Sequence, residues 1–337
     1  MADVEYILTT EDESRYLKEL LRMRLDFSGR LVKKIKYDGQ LLLNGRPAKL
    51  HEKGRAGDVL AVSYPEEESY FEPENIPVEI IYEDDDLLVV NKPAGLIVHP
   101  TKNFQDGTLA NALAWHIRER GDRYKLRFVN RLDMNTSGLV IVAKNSHCQD
   151  FLTHQMEKNA IVKNYLAIVH GIAGETGAKG TVDAPIDKDP NHVARRIVTP
   201  AGYPSVTHYE VLQVYGSSDA DLQGFGPSAH KEQAGSLQGR YAEFAPIQGY
   251  SLLKLKLDTG RTHQIRVHMT HIGHPLLGDE LYGELYGYGG LPEDMPRQAL
   301  HASHLEFTHP VSGEHLSLDA PLPQDMQNWL DRISIQK

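Results

Sequence analysis

Apolar positions along this chain follow two different periods. Over residues 13–26, Tyr16, Leu17, Leu20, Leu21, Met23 and Leu25 recur at helical spacing. Ser28 is placed to cap a second helix over 29–37, with Leu31, Val32 and Ile35 on one side. Asp38-Gly39 then turns the chain into a short strand over 40–43. Asn44-Gly45 is a hairpin signal leading into 46–49, and Gly57-Asp58 opens a strand over 59–63. From residue 78 short apolar runs of strand length dominate: 78–82, 87–91, 139–143, 161–169, 206–214 and 250–257. Helices are predicted between them. One starts at Asp106 or Thr108 and stops at Gly121; another starts at Asn145 or Ser146 and runs to about Lys158. Residues 261–269 are expected as a strand and 324–333 as a C-terminal helix. Many strands joined partly by hairpins predict an α+β domain with a mixed, largely antiparallel sheet.

Two stretches break the pattern. Residues 65–77 hold three prolines and five glutamates and read as a linker. The polar, Gly/Ser-rich stretch 215–249 reads as a long insertion between two paired strands. The expected organisation is therefore a small module over 1–64, a linker over 65–77 and a large domain over 78–337. That agrees with 337 residues at ~150 per domain.

Composition narrows the class. The chain is 40% hydrophobic and 24% charged, which excludes a disordered or collagen-like protein. No apolar run approaches the ~18 residues of a membrane helix. The first 13 residues carry five acids and do not resemble a signal peptide. Cys148 is the single cysteine, so neither an intrachain disulfide nor a paired-cysteine zinc knuckle can form. A reducing, cytoplasmic setting fits.

Net charge is −10, which by itself argues against nucleic acid. Its distribution points the other way. Residues 14–55 sum to +8 and residues 56–86 to −11, and a nucleic-acid footprint is a local field. The plain alternative is a solvated helix face.

Four clusters carry candidate chemistry. In Asn130-Arg131-Leu132-Asp133-Met134-Asn135-Thr136-Ser137-Gly138, Asp133 sits in a loop before an apolar strand. By residue type alone, an aspartate that stabilises its own turn is the commoner arrangement. In Gly260-Arg261-Thr262-His263-Gln264-Ile265-Arg266-Val267-His268, a strand would set Thr262, Gln264, Arg266 and His268 on one face. An arginine among such neighbours pairs with a carboxylate, or makes a surface salt bridge. Zinc is disfavoured, because alternation separates His263 from His268 and no HExxH occurs. Tyr165 lies in an alternating apolar strand, where tyrosine is normally core. Lys92 precedes Pro93-Ala94-Gly95 at a rigid turn. The Gly224–Ala229 match to a dinucleotide fingerprint opens no helix after a strand, and no GxSxG elbow exists.

In this order the stretches VVNKPAGLIVHP, RLDMNTSGLVIVAK, KNYLAIVHG, LDTGRTHQIRVHMTHIGHPLLGD and RQALHASHLEFTHP resemble the RluA family of pseudouridine synthases. They span residues 89–310. The segment LLLNGRPAKLHEKGRAGDVLAV, with the two basic helices before it, resembles the S4 RNA-binding domain over about 13–63. One departure is Asn130, where the family usually has histidine; the change bears on how the loop packs or grips RNA.

The resemblance implies isomerisation of uridine in RNA to pseudouridine, without cofactor or metal. It implies Asp133 as nucleophile, Arg266 as the cation that holds it ionised and aimed, and Tyr165 as a stacking partner for uracil and a candidate base at C5. Arg131 is expected at the flipped nucleotide or displaced strand. Lys92 and Arg261 are expected at phosphate or in site structure. Arg30, Lys33, Lys34 and Lys36 are expected to bind RNA through the second helix. Ribosomal RNA is the first expectation as substrate and transfer RNA the second; neither a membrane nor an obligate protein partner is expected. A glycoside hydrolase would need a pair of carboxylates, and Asp133 has no motif-level partner acid. A non-catalytic RNA-binding protein accounts for the S4-like module only.

Overall fold

The structure is a computed structural model that describes residues 4–64, 67, 69–102, 104–216, 249–288, 292 and 294–335. The expected insertion at 215–249 and the Gly224–Ala229 stretch therefore lie almost wholly outside the described residues.

The N-terminal part folds around its own core. Strand β1 (Val4–Ile7), helices α1 (Leu17–Met23) and α2 (Gly29–Asp38), and strands β2 (Gln40–Leu43), β3 (Arg46–Pro47) and β4 (Val59–Ser63) form a four-stranded sheet with two helices, in the strand order β1-β4-β2-β3. Leu17, Leu20, Leu21, Leu31, Ile35 and Leu60 fill the space between sheet and helices. Ser28 caps α2 as expected, its Oγ accepting from the Leu31 amide at 3.1 Å. The first helix is shorter than its periodicity predicts. Residues 10–12 instead form a tight turn in which Asp12 accepts from the Thr9 amide and hydroxyl and from Tyr6. Such local bonds from Asp and Thr compete with a helix start. Strand β1 has no counterpart in the pattern reading.

The large domain is one ten-stranded sheet. Its strands are β5 (Glu79–Glu83), β6 (Leu87–Lys92), β7 (Arg127–Phe128), β8 (Ser137–Ala143), β9 (Val162–His170), β10 (Lys179–Asp183), β13 (Val206–Tyr215), β14 (Tyr250–Leu257), β15 (Leu300–Thr308) and β16 (His315–Asp319). The central path runs β10-β13-β14-β9-β15-β8-β6-β5, and β11 (Ile186–Lys188) pairs with β12 (Arg196–Val198) apart from it. Every pair is antiparallel except β15 with β8, which is parallel. The α+β class and the mixed sheet are thus as the pattern predicts. Helices α3 (Leu109–Arg120), α4 (Ser146–Glu157), α5 (Gln264–His271), α6 (Glu280–Gly283) and α7 (Gln324–Ile335) flank the sheet. Strand β8 is buried at all seven positions, which is why its sequence reads as a continuous apolar run.

The described part of stretch 65–77 bonds to the large domain. The Leu126 amide donates to Ser69 Oγ at 2.7 Å, the Gly107 amide to Glu74 at 2.8 Å, and Asn111 to the Glu72 carbonyl at 2.9 Å. Phe71 and Ile76 pack beneath α3 against Leu109 and Leu113. Glu67 takes ion pairs from both Lys34 of α2 and Arg127 of β7.

Residues 261–269 depart from the expected strand. This segment is a turn followed by helix α5, not a strand. His263 adopts φ +59° at the helix start, and Gln264 locks the turn. Gln264 Oε1 accepts from Thr259 Oγ1 at 2.8 Å and the Arg261 amide at 3.0 Å, while its Nε2 donates to the Val206 carbonyl. All of Gln264–Thr270 is buried, with Ile265 and Met269 in one apolar cluster and Val267 in another. A helix buried all round has no polar face, so its apolar residues show no helical stripe and their alternation imitates a strand.

Candidate active site

The Asp133 loop is set by the parallel seam of the sheet. Gly138 lies opposite Ala302 and Lys92, and Ala302 lies opposite Tyr165. Gly138 has φ +115°, and a Cβ there would stand 2.2 Å from the Ala302 carbonyl oxygen, so only glycine permits this seam. The loop just before Gly138 is thereby brought beside Tyr165. Asp133 closes its turn by backbone alone, its carbonyl accepting from the Thr136 amide at 3.1 Å. Its carboxylate turns away toward Arg266, whose Nη1 lies 3.3 Å from Oδ2. The turn-stabilising reading of this aspartate therefore fails.

Arg266 has a second, stronger partner to which the sequence reading gave no role. Its Nε and Nη2 form a two-pronged pair with Asp279, at 2.7 and 2.8 Å. Asp279 is fully buried and caps α6, accepting from the Tyr282 amide. The fork of the guanidinium is thus spent on Asp279, and the remaining Nη1 reaches Asp133. Burial disfavours the Arg266 cation, but its bonds and attraction to Asp279 more than offset this and hold its pKa above the usual range. Gly278 makes the geometry possible: its φ is +68°, and a Cβ would fall 2.2 Å from the Arg297 carbonyl oxygen. The Gly278-Asp279 pair shortly after the helix is the signal that was available in the sequence.

Three further side chains hold the loop from beneath. Arg297 donates to the carbonyls of Asn135, Gln298 and Leu300 and forms a two-pronged pair with Asp325 of α7. Ser137 Oγ bonds His301 Nδ1 at 2.9 Å. Lys92 is wholly buried, and its ammonium donates to the carbonyls of Pro93, Leu96 and Met134 at 2.8–2.9 Å. Of the two places expected for it, at phosphate or in site structure, the geometry agrees with the second: all three of its N–H groups are used inside the fold. Burial, and the nearby Arg297, lower its pKa to about 7 against the pull of Asp133. Three carbonyls matched to three donors favour the ammonium.

Asn130 has a structural use. Its Nδ2 donates to the Leu139 carbonyl and its Oδ1 accepts from the Ile141 amide, so the side chain pairs with β8 as a strand backbone would. The histidines of this region have separate partners. His268 bonds Thr207 Oγ1 and the Ala184 carbonyl, and His274 bonds the His170 carbonyl.

Asp133, Tyr165, Arg131, Arg261, His263 and Arg266 line one cavity of about 340 Å³, a size suited to a small ligand. The Asp133 side chain is 29% exposed there, whereas Tyr165 is buried. Burial, with the charge of Asp133 second, pushes the Tyr165 hydroxyl well above the usual tyrosine range, so it is a neutral phenol in the resting site. Arg131 and Arg261 are exposed at the rim. Arg261 stands over the Tyr203 ring with its Nε 3.5 Å from the Pro204 carbonyl. A second hollow of about 510 Å³ lies on the other face of the sheet, around Asn164, Lys254 and Lys256, with no such convergence.

Arg30, Lys33 and Lys36 are exposed on α2, remote in sequence from this cavity. Lys34 differs from its neighbours in being half-buried and paired with Glu67.

The chain matches the family RNA pseudouridylate synthase over residues 86–271. It belongs to that family. Ribosomal large subunit pseudouridine synthase D of Escherichia coli K12 is 36% identical to it over 322 residues, covering 93% of this chain and 88% of the relative. A Bacillus subtilis protein, the uncharacterized RNA pseudouridine synthase YlyB, is 35% identical and covers 99% of each chain. Among solved structures, Human RNA Pseudouridylate Synthase Domain Containing 1 shares the fold. Its TM-score is 0.53 at 24% identity, over 78% of this chain and 98% of the human one. As an RNA pseudouridine synthase, this chain isomerises uridine in RNA. Among the described residues no helix is long and apolar enough to cross a membrane.

Proposed function

We propose that this synthase acts on large-subunit ribosomal RNA in the cytoplasm, with Asp133 as its nucleophile. Support for the target comes from the relatives of 36% identity that bear that name and are covered over 88% of their length. The observation that carries the mechanism is the convergence of Asp133, Arg266 and Tyr165 on one cavity. The reaction breaks the N1–C1′ bond, turns the base and forms a C5–C1′ bond. N1 gains a proton and C5 loses one, so atoms balance without water, redox change or cofactor. A single carboxylate serves this chemistry by adding to C1′ or C6 and leaving again. Arg266 fixes that carboxylate, and Asp279 fixes Arg266. A hydrolase using two acids is disfavoured, since both oxygens of buried Asp279 are occupied by Arg266.

The target base must leave its stack to enter the cavity. Arg131 and Arg261 at the rim are suited to the phosphates on either side of it. Tyr165 supplies the floor on which uracil stacks. Because its phenol is neutral at rest, Tyr165 takes the C5 proton only as its own hydroxyl proton passes on, and N1 is the group that gains one. The segment over 1–64 acts as an S4-like RNA-binding domain, with Arg30, Lys33 and Lys36 as its contacts and Lys34 released from Glu67 when RNA competes. Transfer RNA is the second candidate substrate.

The test is tritium release from RNA labelled at uridine C5. Large-subunit ribosomal RNA is expected to release tritium in proportion to pseudouridine formed. Release from transfer RNA alone would overturn the assigned target, and free uracil would overturn the isomerase mechanism.

A further inference from the structure

The cavity holds one histidine that this mechanism does not use. His263 lies at the start of α5 with φ +59°, a left-handed conformation that costs free energy for a non-glycine residue and recurs at functional sites. The conformation aims its ring into the cavity beside Asp133. We infer that His263 is a positioning residue for the Asp133 carboxylate, set as an Nε2–H donor by a relay from the β12 backbone through Tyr282. The inference rests on the reading of Asp133 as nucleophile.

The relay follows from counting protons. The Arg196 amide donates to Tyr282 Oη at 2.9 Å. Tyr282 Oη also lies 3.0 Å from His263 Nδ1. A phenol has one proton, and burial keeps this one in place by pushing the hydroxyl well above its usual range. Nδ1 is the one acceptor for that proton among the hydrogen bonds of the described residues, so Tyr282 accepts from Arg196 and donates to Nδ1. A neutral imidazole that accepts at Nδ1 carries its proton at Nε2. That nitrogen lies 3.8 Å from Asp133 Oδ2, the same oxygen that Arg266 Nη1 approaches at 3.3 Å. No donor among the described residues reaches Oδ1. The two carboxylate oxygens thus divide their roles: Oδ2 is held from two directions and Oδ1 is left to attack. A separation of 3.8 Å is beyond hydrogen-bond range, and contacts of this kind tighten when substrate fills a site.

The charges around His263 allow it to stay neutral. Burial lowers its pKa; Asp133 and Asp279 oppose this, and Arg266 and Arg196 reinforce it. The Tyr282 ring also meets the imidazole edge-on, at 5.8 Å between centroids, which restricts its rotation.

Three variants of the full-length protein test this in the tritium-release assay. His263→Gln places an amide N–H near the position of Nε2. His263→Asn tolerates the left-handed backbone but is too short to reach. The Asn variant is expected to lose about tenfold in kcat, one hydrogen bond's worth, and the Gln variant less than about threefold, with KM within about twofold for both. Tyr282→Phe is expected to lower kcat without raising KM. In ¹⁵N-histidine spectra of the resting enzyme, His263 should show the Nε2–H tautomer, and Tyr282→Phe should mix the two tautomers. Equal losses for Gln and Asn, a loss confined to KM, or a tautomer unchanged in Tyr282→Phe would each overturn the assignment. The tautomer readout needs no turnover, so its failure is distinguishable from an Asp133 variant that remains active.

Discussion

Cations are used in opposite ways at the two ends of this chain. Around the cavity of the large domain, Lys92, Arg266 and Arg297 are buried, and each is surrounded by acceptors that match its donors. On α2, Arg30, Lys33 and Lys36 are exposed and their heads face solvent. A buried cation with fixed partners specifies geometry, because moving any member strands a charge. An exposed cation specifies little geometry, but its field reaches about a Debye length and adds to its neighbours'. The first arrangement suits positioning of one carboxylate. The second suits affinity for a polyanion.

The largest expected effect strikes the carboxylate itself. Asp133→Asn keeps the shape and removes the anion, and kcat is expected to fall by about 10⁴-fold or more, ~5.5 kcal/mol in the barrier. RNA affinity, measured by filter binding, is expected to change less than about twofold. A residual kcat within about tenfold of wild type would refute the nucleophile assignment.

The next effect separates positioning from stability. Arg266→Met leaves Asp279 buried without a counter-charge and is expected to cost about 3–5 kcal/mol in urea unfolding. Adding Asp279→Leu removes the stranded charge and should recover most of that stability. Turnover should not recover, because Asp133 still lacks its cation. If the double variant regains activity, Arg266 serves only the fold.

Acid should strike the large domain selectively. His170 and His301 are buried, and burial lowers each pKa to about 4. Their unfolded value is near 6.5. A depressed histidine pKa means the unfolded chain binds the extra proton, so stability is complete above about pH 6.5 and lost as pH falls toward 4. Each group contributes up to about 3 kcal/mol. His301→Gln should flatten the dependence of urea midpoint on pH over this window. An unchanged slope would show that His301 does not titrate on unfolding.

The smallest effect belongs to α2. Changing Arg30, Lys33 and Lys36 together to Gln should flatten the slope of log K against log salt by about 0.7–0.9 for each phosphate no longer engaged. At saturating RNA, kcat should be unchanged. An unaltered slope would reduce the basic run to a solvated face.

Much of this was legible along the chain. Strand lengths, the Ser28 cap and the Gly121 stop are local decisions, made by side chains on their own backbone. The +8 segment is likewise visible as a sum. Asp133, Tyr165 and Arg266 stand in specific motifs, and the tertiary structure sets all three on one cavity. Other features were not legible, for a common reason. The helix at Gln264–His271 reads as a strand because burial on every side erases its polar face. For Lys92 the sequence leaves phosphate contact and site structure both open; the fold supplies three carbonyls that no local rule foresees.

The sequence by itself determined many of the strands and most of the longer helices, and which residues are chemically able to act. It also settled the family through the order of its motifs. Only the tertiary structure decided partnership. Asp279 and Tyr282 reveal their use once α6 is folded against α5, and Asn130 once β8 lies beside it. Hydrogen bonds and ion pairs depend on distances of about 3 Å between residues far apart in the chain. No local pattern encodes such distances, whereas hydrophobic periodicity, capping and charge are properties of neighbours.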